Sequence, residues 1–416
     1  MSTETRGRRA LQCLNFFMPD MQAGVGPFLG VFLLAHGWQS GWIGSVMTIG
    51  AVAGVVLATP AGAWVDASHH KRALVAIPGV CTVLASAIVL LSQGFWPVAL
   101  SQVATAIAGA AIGPAVIGIT LGLVRQAGFN HQNGINQAYN HAGNAAGAAL
   151  SGLLGWKLGL PAVFWLAVAF AIASIVSVLS IPRESIDDRI ARGLRMEDHT
   201  AQDARGLHVL LSCKPLAVLA ASLALFHLGN AAMLPLYGLA VVAARQGNPA
   251  TFVAATIVVA QATMVVASLV ATRLSERRGL WLVLLVSFCA LPVRGLVAAH
   301  LIRSWGVFPV QMLDGVGAGL QSVAVPSLIV RFLNGTGRVN AGQGAVMTAQ
   351  GIGASVSPAI GGWLAQWYGY GAAFMFLGSC ALGSVLIWLS CAPMLKAAVA
   401  AALTSDAPAS PVVADS

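Results

Sequence analysis

The sequence predicts an all-α membrane protein whose twelve transmembrane helices form two six-helix bundles. Of its 416 residues, 57% are hydrophobic and only 8% are charged, whereas about 25% of the residues in soluble domains are charged. Apolar runs of about 20 residues, the length needed to cross the hydrocarbon, recur along the chain. The second half of the chain also repeats features of the first. These observations together point to a helical protein embedded in lipid.

Twelve apolar stretches define the predicted spans, each with the length and composition of a membrane helix. The first span follows a basic N-terminus and is too long and too polar for a cleaved signal peptide, so we expect it to remain as a membrane helix. In chain order, the predicted spans are 10–36, 41–65, 73–92, 96–124, 134–158, 161–181, 215–244, 250–273, 280–301, 305–332, 341–367 and 371–393.

The distribution of basic residues predicts the topology. Of the 22 Lys and Arg residues, 18 lie at the chain ends or in loops on the same side as the ends. The opposite loops contain only Lys157, Arg245 and Arg303. Because basic loops stay in the cytoplasm, we expect a multi-pass membrane protein with both termini cytoplasmic. The Ala-, Gly- and Arg-rich composition favours a bacterial source, and hence the bacterial inner membrane. The net charge of +9 is then a topology signal, and we expect no nucleic-acid partner.

The chain lacks the residues that several kinds of chemistry need. Its six cysteines are scattered, with no CxxC or Cys/His pair, which predicts buried apolar residues. No GxxxxGK(S/T) or other phosphate-binding loop occurs. We therefore expect no metal, no cofactor and no enzymatic activity. The expected partners of this monomer are the lipid bilayer, a small-molecule substrate and protons.

A charged stretch over residues 182–214 separates six predicted spans from the other six. It contains six of the thirteen acids, and we expect a solvated, helical linker in the cytoplasm. The predicted organisation is an N-terminal bundle over 1–181, the linker over 182–214, a C-terminal bundle over 215–393 and a disordered cytoplasmic tail over 394–416.

The two halves of the chain repeat at an offset close to 210. Residues 143–164 (GNAAGAALSGLLGWKLGLPAVF) align with residues 353–374 (GASVSPAIGGWLAQWYGYGAAF), and Pro114 is mirrored by Pro326. A parallel repeat of six spans predicts bundles related by a pseudo-two-fold axis, with the substrate path between them and alternating access by rocking. This symmetry favours a transporter over a channel, a receptor or a membrane enzyme.

Two short motifs occupy matching places in the halves. Gly62 and Asp66, after span two, have the spacing of a Gly-x-x-x-Asp signature. Glu276, Arg277 and Gly279, after span eight, show the acidic-Arg-x-Gly core of the same signature. In these motifs, and over nearly its whole length, the chain resembles the major facilitator superfamily. The resemblance implies that family's fold and a conformational latch at these five residues, since an acid there can pair with a basic residue or cap a following helix.

A glycine- and proline-rich motif lies in span eleven. It reads Gly353-x4-Pro358-x2-Gly361-Gly362 and is similar to the antiporter motif that the family normally carries in span five. Span five itself has glycines but no proline. Small residues at four-residue spacing let helices approach closely and slide, which a rocking bundle requires, although plain helix packing explains them equally well.

Ionisable residues inside spans are costly and usually mark an ion or substrate path. Asp20, Asp314 and Arg294 lie well inside spans. Asp20 stands beside prolines and glycines that interrupt span one, so it is either a protonatable or substrate-binding group or a helix cap. Arg294 and Asp314 lie at similar depths. They form either a structural ion pair or a site for proton coupling or anion binding.

Polar residues in six spans are candidates for the cavity lining. Five of them share one face of span five and either line the cavity or join helices by hydrogen bonds. His141, which could titrate near neutral pH, joins Asp20 and Asp314 as a candidate for proton coupling. The candidates in span five are Asn133, Gln137, Asn140, His141 and Asn144, and those in other spans are Asn15, Gln22, Gln102, His227, Asn230, Arg294, Gln311 and Gln321.

The leading hypothesis is a secondary active transporter that exports small organic, drug-like compounds by proton-coupled alternating access. The span-eleven motif, the mostly apolar cavity helices and the family resemblance favour it. The alternative is proton-coupled uptake of a small polar or anionic nutrient, or of a siderophore-like molecule. Arg294, the polar stripe of span five and the missing proline in that span favour uptake.

Overall fold

The structure, a computed structural model, describes residues 3–23, 29, 32–33, 36–38, 40–159, 161–194, 208–234, 236–237, 240 and 249–404. These ranges are helical and contain no strand, which confirms the all-α class. The helices are α1 Thr3–Ala23, α2 Ser40–Ala67, α3 Ala73–Leu91, α4 Phe95–Leu158, α5 Pro161–Leu179, α6 His208–Ser212, α7 Lys214–Asn230, α8 Pro249–Arg278, α9 Leu280–His300, α10 Val307–Phe332, α11 Val339–Ser390 and α12 Ala392–Thr404. Short 3-10 turns occupy Arg183–Ser185, Ile190–Arg192 and Ser304–Gly306.

Several helices have the length and composition of membrane spans. Large apolar side chains on them face outward, as expected where lipid is the surrounding medium. Within the described ranges there are eight such spans: Ser45–Ala67, Ala73–Leu91, Phe95–Ser151, Ala162–Leu179, Ile257–Arg278, Leu280–His300, Val307–Phe332 and Val339–Ser390.

Two of these spans, in α4 and α11, have 57 and 52 residues, more than one crossing needs. Each helix contains one residue with non-helical backbone angles. These residues are Arg125 (φ 58°, ψ −179°) in α4 and Gly369 (φ 86°, ψ 162°) in α11. Each long helix is therefore two crossings joined by a tight turn. We call residues 95–124 and 126–158 the first and second arms of α4, and residues 339–368 and 370–390 the first and second arms of α11.

The turn at Arg125 differs from the predicted boundaries. The predicted spans four and five leave residues 125–133 between them, but the helix resumes at residue 126. Polar residues there look like a loop in the sequence. They stay helical because Asn130 and Asn133 find hydrogen-bond partners on other helices. Helices α1 and α7 lie where spans one and seven are predicted, and the total of twelve spans stays a prediction.

The helices pack into two halves that contact each other along two seams. In the first half, α4 packs against α1, α2 and α3, and α5 packs against α1. In the second half, α11 packs against α7 and α9, and α10 packs against α8 and α9. Between the halves, α2 packs against α11, and α4 packs against α8 and α10. Five helices thus make the contacts between the halves: α2, α4, α8, α10 and α11.

A close backbone approach recurs in both halves. A Cβ atom at Gly143, in the second arm of α4, would overlap the carbonyl oxygen of Phe16 in α1. A Cβ atom at Gly353, in the first arm of α11, would overlap the carbonyl oxygen of Ala224 in α7. Both glycines let two helix backbones meet. Since these glycines are aligned in the sequence repeat, the repeat is also a repeat of packing.

The described part of the linker differs from the expected solvated helix. Residues 183–194 form two 3-10 turns, and the side chains of Ile190, Ala191 and Leu194 are buried. They pack against the ends of the long helices, because burying these apolar side chains is favourable. Residues 195–207 lie outside the described residues. We call the side of the molecule that carries residues 183–194 the linker face.

The predicted disordered tail is also ordered in its first part. Residues 392–404 form α12, whose Leu395 side chain is 1% exposed. The Lys396 ammonium lies 4.1 Å from the centre of the Trp281 ring, a cation–π contact. These two contacts attach the helix to the second half. The remaining tail, 405–416, lies outside the described residues.

Candidate functional site

A cavity of about 370 Å³ lies between the two halves, within the usual size range of small-molecule sites. Helices α1, α7 and α10, both arms of α4 and the first arm of α11 form its wall. Among the side chains that the structure describes, the lining includes no Asp, Glu, Lys or Arg. Its polar residues are Asn15, Thr120, Asn133, Asn136, Gln137, Asn140, His227, Gln321, Ser322, Gln343 and Gln350, and the others are Met18, Gly113, Val116, Ile117, Ala318, Val325, Pro326 and Met347.

The second arm of α4 supplies the amide-rich side of this cavity. Residues at spacings of three and four fall on one helix face, which brings Asn133, Asn136, Gln137 and Asn140 to the wall. Asn136 accepts a hydrogen bond from Gln132 (2.9 Å) and donates one to the Thr120 hydroxyl (3.2 Å) on the first arm. Because a buried amide with satisfied hydrogen bonds is held in place, this side is preorganised.

Hydrogen bonds from the second arm of α4 reach the other half at several positions along its length. The Asn130 amide nitrogen donates to the Ser275 hydroxyl (2.6 Å), and its oxygen accepts from the Ser327 hydroxyl (3.0 Å). The Asn133 amide lies 3.4 Å from two backbone oxygens of α10. His141 lies 3.2 Å from the Gln261 side-chain oxygen and 3.3 Å from the Ser322 hydroxyl. Polar contacts thus close this seam.

Asp66 joins the halves along the other seam. Its side chain is 2% exposed and lies at the first turn of α11. One carboxylate oxygen accepts from the Asn340 side-chain amide (2.7 Å) and the Asn340 backbone N–H (3.2 Å), and the other accepts from the Ala341 N–H (2.9 Å). These N–H groups have no partner within their own helix. A carboxylate of the first half therefore caps a helix of the second.

Gly62 lies one turn before Asp66 and lets α2 approach the start of α11 closely. A Cβ atom at Gly62 would overlap the Asn340 carbonyl oxygen, and one at Gly344 would overlap the Ala58 carbonyl oxygen. Gly62 of α2 thus lies against α11, and Gly344 of α11 lies against α2. Only glycine leaves room for two backbones this close.

Lys71 stabilises the end of α2 beside Asp66. Its side chain is 2% exposed, and the ammonium donates to the Val65 and Ser68 carbonyl oxygens (3.0 Å each). Burial lowers the pKa of Lys71 to about 8, although the nearby Asp66 carboxylate opposes the shift. A cation on the last carbonyls of a helix is favourable, so Lys71 acts as a C-terminal cap.

The matching motif of the second half makes a weaker contact. Glu276, at the end of α8, lies 3.0 Å from His131 on the second arm of α4, and both side chains are well exposed. Arg277 is exposed, and Gly279 (φ 84°) forms the turn into α9. The structure thus brings Gly62 and Asp66 into a buried contact between the halves. Of the second motif, Glu276 contacts the other half, and it does so through an exposed pair with His131.

A buried charge cluster lies in the second half. The Arg294 guanidinium is 1% exposed and donates to the Asp314 carboxylate (2.7 Å) and the Asn230 side-chain oxygen. Asp314 is 15% exposed. Among the described residues, the Arg294 Nε and Nη2 atoms and both amide atoms of Gln311 have no hydrogen-bond partner. The pair therefore leaves hydrogen-bonding capacity of the guanidinium unused.

The structure places only part of the predicted lining at the cavity. Asn15, Asn133, Gln137, Asn140, His227 and Gln321 line it. Contrary to expectation, Gln102, Asn144, Asn230, Arg294 and Gln311 do not, and His141 and Asp314 are also absent from the lining. Arg294, Asp314 and His141 bond to residues of neighbouring helices, and a helix-face pattern alone cannot distinguish such a position from one that faces a cavity. The side chains of Asp20 and Gln22 lie outside the described residues.

Sequence reasoning missed five polar lining residues. Asn136 and Thr120 belong to α4, and Asn136 directly precedes the predicted Gln137. Gln343 and Gln350 stand seven residues apart on one face of the first arm of α11, which is a recognisable signal. Ser322 neighbours the predicted Gln321 and had no signal of its own.

Two similar helical halves with a polar cavity between them define a polytopic membrane transport protein. The chain matches the Major Facilitator Superfamily over residues 11–341 and belongs to that family. The family resemblance and the fold are thus confirmed. The protein is a transporter and not an enzyme.

Relatives and solved structures agree with this assignment. An uncharacterized MFS-type transporter of Mycobacterium tuberculosis, found in strains CDC 1551 and H37Rv, is 38% identical over 395 residues, which is 93% of each chain. The human organic anion transporter MFSD10 (TETRAN) is similar in fold, with a TM-score of 0.71, 14% identity and coverage of 93% of this chain and 100% of that one. A bacterial homologue of the iron transporter ferroportin, in an outward-facing state, has a TM-score of 0.69, 15% identity and coverage of 94% and 100%.

Proposed function

We propose that this transporter exports small organic compounds by proton-coupled alternating access. The observation that carries the proposal is the cavity between the halves, which has the size of a small-molecule site and is lined by amides, hydroxyls and apolar side chains. Such a lining can hydrogen-bond one polar edge of a solute and cover its apolar part. A compact organic molecule with both kinds of surface fits this lining.

The lining also favours an uncharged solute. A charged group transferred into a buried site without a charged partner loses its hydration at a high free-energy cost. No Asp, Glu, Lys or Arg lines the cavity among the residues whose side chains are described. The Arg294 guanidinium, which the anion hypothesis would use, is paired with Asp314 outside the lining. This argues against an anionic substrate and for a neutral one.

Alternating access requires contacts between the halves that can break. The contacts between the halves are individual hydrogen bonds around Asp66, Asn130 and His141, together with close approaches of helices at glycines, and those of Asp66 and Asn130 lie toward the linker face. Hydrogen bonds of this kind exchange for bonds to water at modest net cost. We propose that Gly62, Asp66, Glu276, Arg277 and Gly279 form the latch region, and that its opening exposes the cavity on the linker face.

Asp20, Asp314 and His141 remain the proposed proton-coupling groups. Protonation of Asp314 would remove its attraction for Arg294, which is 1% exposed and would then be an uncompensated buried charge. A proton could thus change the packing around α9 and α10. This supports a role for the pair in coupling, next to its structural role.

A second candidate is proton-coupled uptake of a small polar nutrient. The many cavity amides favour it, because amide side chains suit solutes with several hydrogen-bonding groups. The Gly353 motif does not decide the direction, since Gly353 packs α11 against α7 in the way that Gly143 packs α4 against α1.

We further propose the cellular setting of this transporter. It would act as a monomer in the bacterial inner membrane with both termini cytoplasmic. The bundles would occupy 1–181 and 215–393, with the linker over 182–214 and α12 attached to the second bundle.

A gradient experiment tests the proposal. A thermal-shift screen of neutral, anionic and cationic compounds on the purified protein identifies a ligand, whose counterflow is then measured in proteoliposomes. Under an imposed pH gradient, an exporter driven by proton antiport accumulates the ligand on the acidic side. Uptake by proton symport accumulates it on the alkaline side. This outcome does not depend on how the protein is oriented in the vesicles.

Variants locate the transport path in the same assay. Asn140→Leu replaces a lining amide with an apolar side chain and should reduce counterflow at least tenfold. A tenfold change corresponds to the loss of a polar contact that contributes about 1.4 kcal/mol. Ser379→Ala is the control, because Ser379 is exposed and bonds only to its own helix. Asp20→Asn should retain counterflow but lose accumulation. Full counterflow in Asn140→Leu would contradict the proposed cavity.

A further inference from the structure

A second cavity, of about 320 Å³, lies on the linker face away from the substrate cavity. It is formed by the start of α3, the end of α5 and the 3-10 turn that begins at Arg183. We propose that this cavity binds the headgroup phosphate of an anionic phospholipid. The proposed occupant is a lipid of the surrounding leaflet, not a transported solute.

The depth of the cavity matches the headgroup layer. The membrane span of α3 begins at Ala73, and that of α5 ends at Leu179. Both residues line the cavity, so it lies where these helices leave the hydrocarbon. Ile77 and Leu179, also in the lining, are 62% and 54% exposed on the outer surface. They provide an apolar surface on which an acyl chain can lie.

Arg72 is positioned by the protein rather than left to solvent. Its Nη1 atom donates to the Leu179 carbonyl (3.2 Å) and the Ile181 carbonyl (2.8 Å), both at the end of α5. A guanidinium has five N–H donors, so three remain for a ligand. Fixing the guanidinium in advance lowers the entropy cost of binding, and guanidinium matches a phosphate with paired hydrogen bonds.

Arg183 supplies the second positive charge. It is exposed and lines the same cavity, and its side chain makes no hydrogen bond to another described residue. The other polar groups of the wall are largely engaged. His69 lies 3.1 Å from Arg192 and 3.7 Å from Asp188, the one acid of the lining, and Lys71 caps α2. Arg72 and Arg183 therefore provide the positive charge in this cavity that is available to a ligand.

Basic residues at helix ends contact headgroups in any membrane protein, so selectivity is what distinguishes a built site. Native mass spectrometry of the delipidated full-length protein in neutral detergent measures this selectivity between lipid headgroups. Phosphatidylglycerol and phosphatidylcholine with identical acyl chains are titrated separately. The first phosphatidylglycerol should bind at least about fivefold more tightly than phosphatidylcholine, since each basic residue near an anionic lipid contributes about this factor.

Two variants and one competitor complete the test. Arg183→Gln should weaken phosphatidylglycerol binding about fivefold with an unchanged melting temperature, whereas Arg278→Gln, an exposed arginine on the same face, should leave binding unchanged. Arg72→Gln should weaken binding too. Equal affinity for both lipids, or an equal loss in Arg278→Gln, would overturn the proposal. Displacement of phosphatidylglycerol by sn-glycerol 3-phosphate at equal concentration would also overturn the proposal, because the cavity would then be a site for a soluble phosphate compound.

Discussion

At the residue scale, two carboxylates at equivalent positions of the repeat have different surroundings. Asp66 is 2% exposed and accepts hydrogen bonds from three N–H groups. Glu276 faces His131 in solvent, where an ion pair contributes about 0–1 kcal/mol. Hydrogen bonds to a buried charge are stronger, about 1.5–3 kcal/mol each. The contact at Asp66 therefore dominates the closed linker face.

Asp66→Asn should accelerate hydrogen exchange at residues 340 and 341. The neutral amide cannot accept from both backbone N–H groups, so the first turn of α11 should open at least about tenfold more often. Exchange is measured by mass spectrometry on peptides from the start of α11. Glu276→Gln is the control and should leave this peptide unchanged. Unaltered exchange in Asp66→Asn would show that the carboxylate does not stabilise the helix.

Arg294 and Asp314 should behave as a coupled pair. Asp314→Asn or Arg294→Gln leaves one buried charge uncompensated, a loss of about 3–5 kcal/mol in soluble proteins, and each should lower the melting temperature in detergent. The double variant should recover much of the loss, because no lone charge remains. Glu184→Gln, at an exposed position, serves as the control for charge removal. Strictly additive losses would contradict the pairing.

At the element scale, glycine positions decide how closely helices approach. Gly353 and Gly362 belong to the same motif in the first arm of α11, yet their surroundings differ. A Cβ atom at Gly353 overlaps the Ala224 carbonyl oxygen, whereas one at Gly362 meets nothing within 4 Å. The motif therefore combines a packing glycine with one that the described structure does not require for packing.

Gly353→Ala should destabilise the protein by about 1–3 kcal/mol, because the added methyl forces α7 and α11 apart. Gly362→Ala should be neutral or stabilising by up to about 1 kcal/mol, since alanine restricts the unfolded chain. Melting temperatures and expression levels of the two variants, measured side by side, check this difference. The packing argument fails when both alanines have the same effect.

The elements were more predictable from the sequence than the cavity was. Apolar length located the helices, because a helix that crosses the hydrocarbon needs a long apolar stretch. The predicted loop between spans four and five was too long, because the helix already resumes at residue 126. Asn130 and Asn133 look like loop residues until their hydrogen-bond partners on α8 and α10 are known. Arg294 and Asp314 lie at the same depth, as predicted, but they do not line the cavity. The rotation of a helix about its axis decides this, and it depends on tertiary packing. The buried turn at Ile190 gave no periodic signal at all.

At the scale of the whole molecule, the halves meet through polar contacts on the linker face, and the basic residues concentrate on this same side. Of the 22 Lys and Arg residues, 18 lie at the termini or in the loops on this side of the predicted topology. Because positively charged loops resist translocation, this face should be cytoplasmic. An exporter would then load its substrate through the face that is closed in this conformer.

Reporter fusions should confirm this orientation. A reporter that is active only outside the cytoplasm should give no signal when fused at Thr200 or Ser416 and a strong signal when fused near Gly247. The measurement is reporter activity normalised to the amount of fusion protein. A strong signal at Ser416 would reverse the assigned topology.

The cap that Asp66 places on α11 has a consequence for biosynthesis. Its acceptor groups and the N–H groups they bind are 274 and 275 residues apart in the chain. At about 5–20 residues per second, roughly 15–55 s of translation separate them. During that interval the carboxylate has no helix end to cap, so the newly inserted first half must keep it hydrated at the membrane edge. Until then, the first half is in the membrane without the partner helix that the linker-face contact needs.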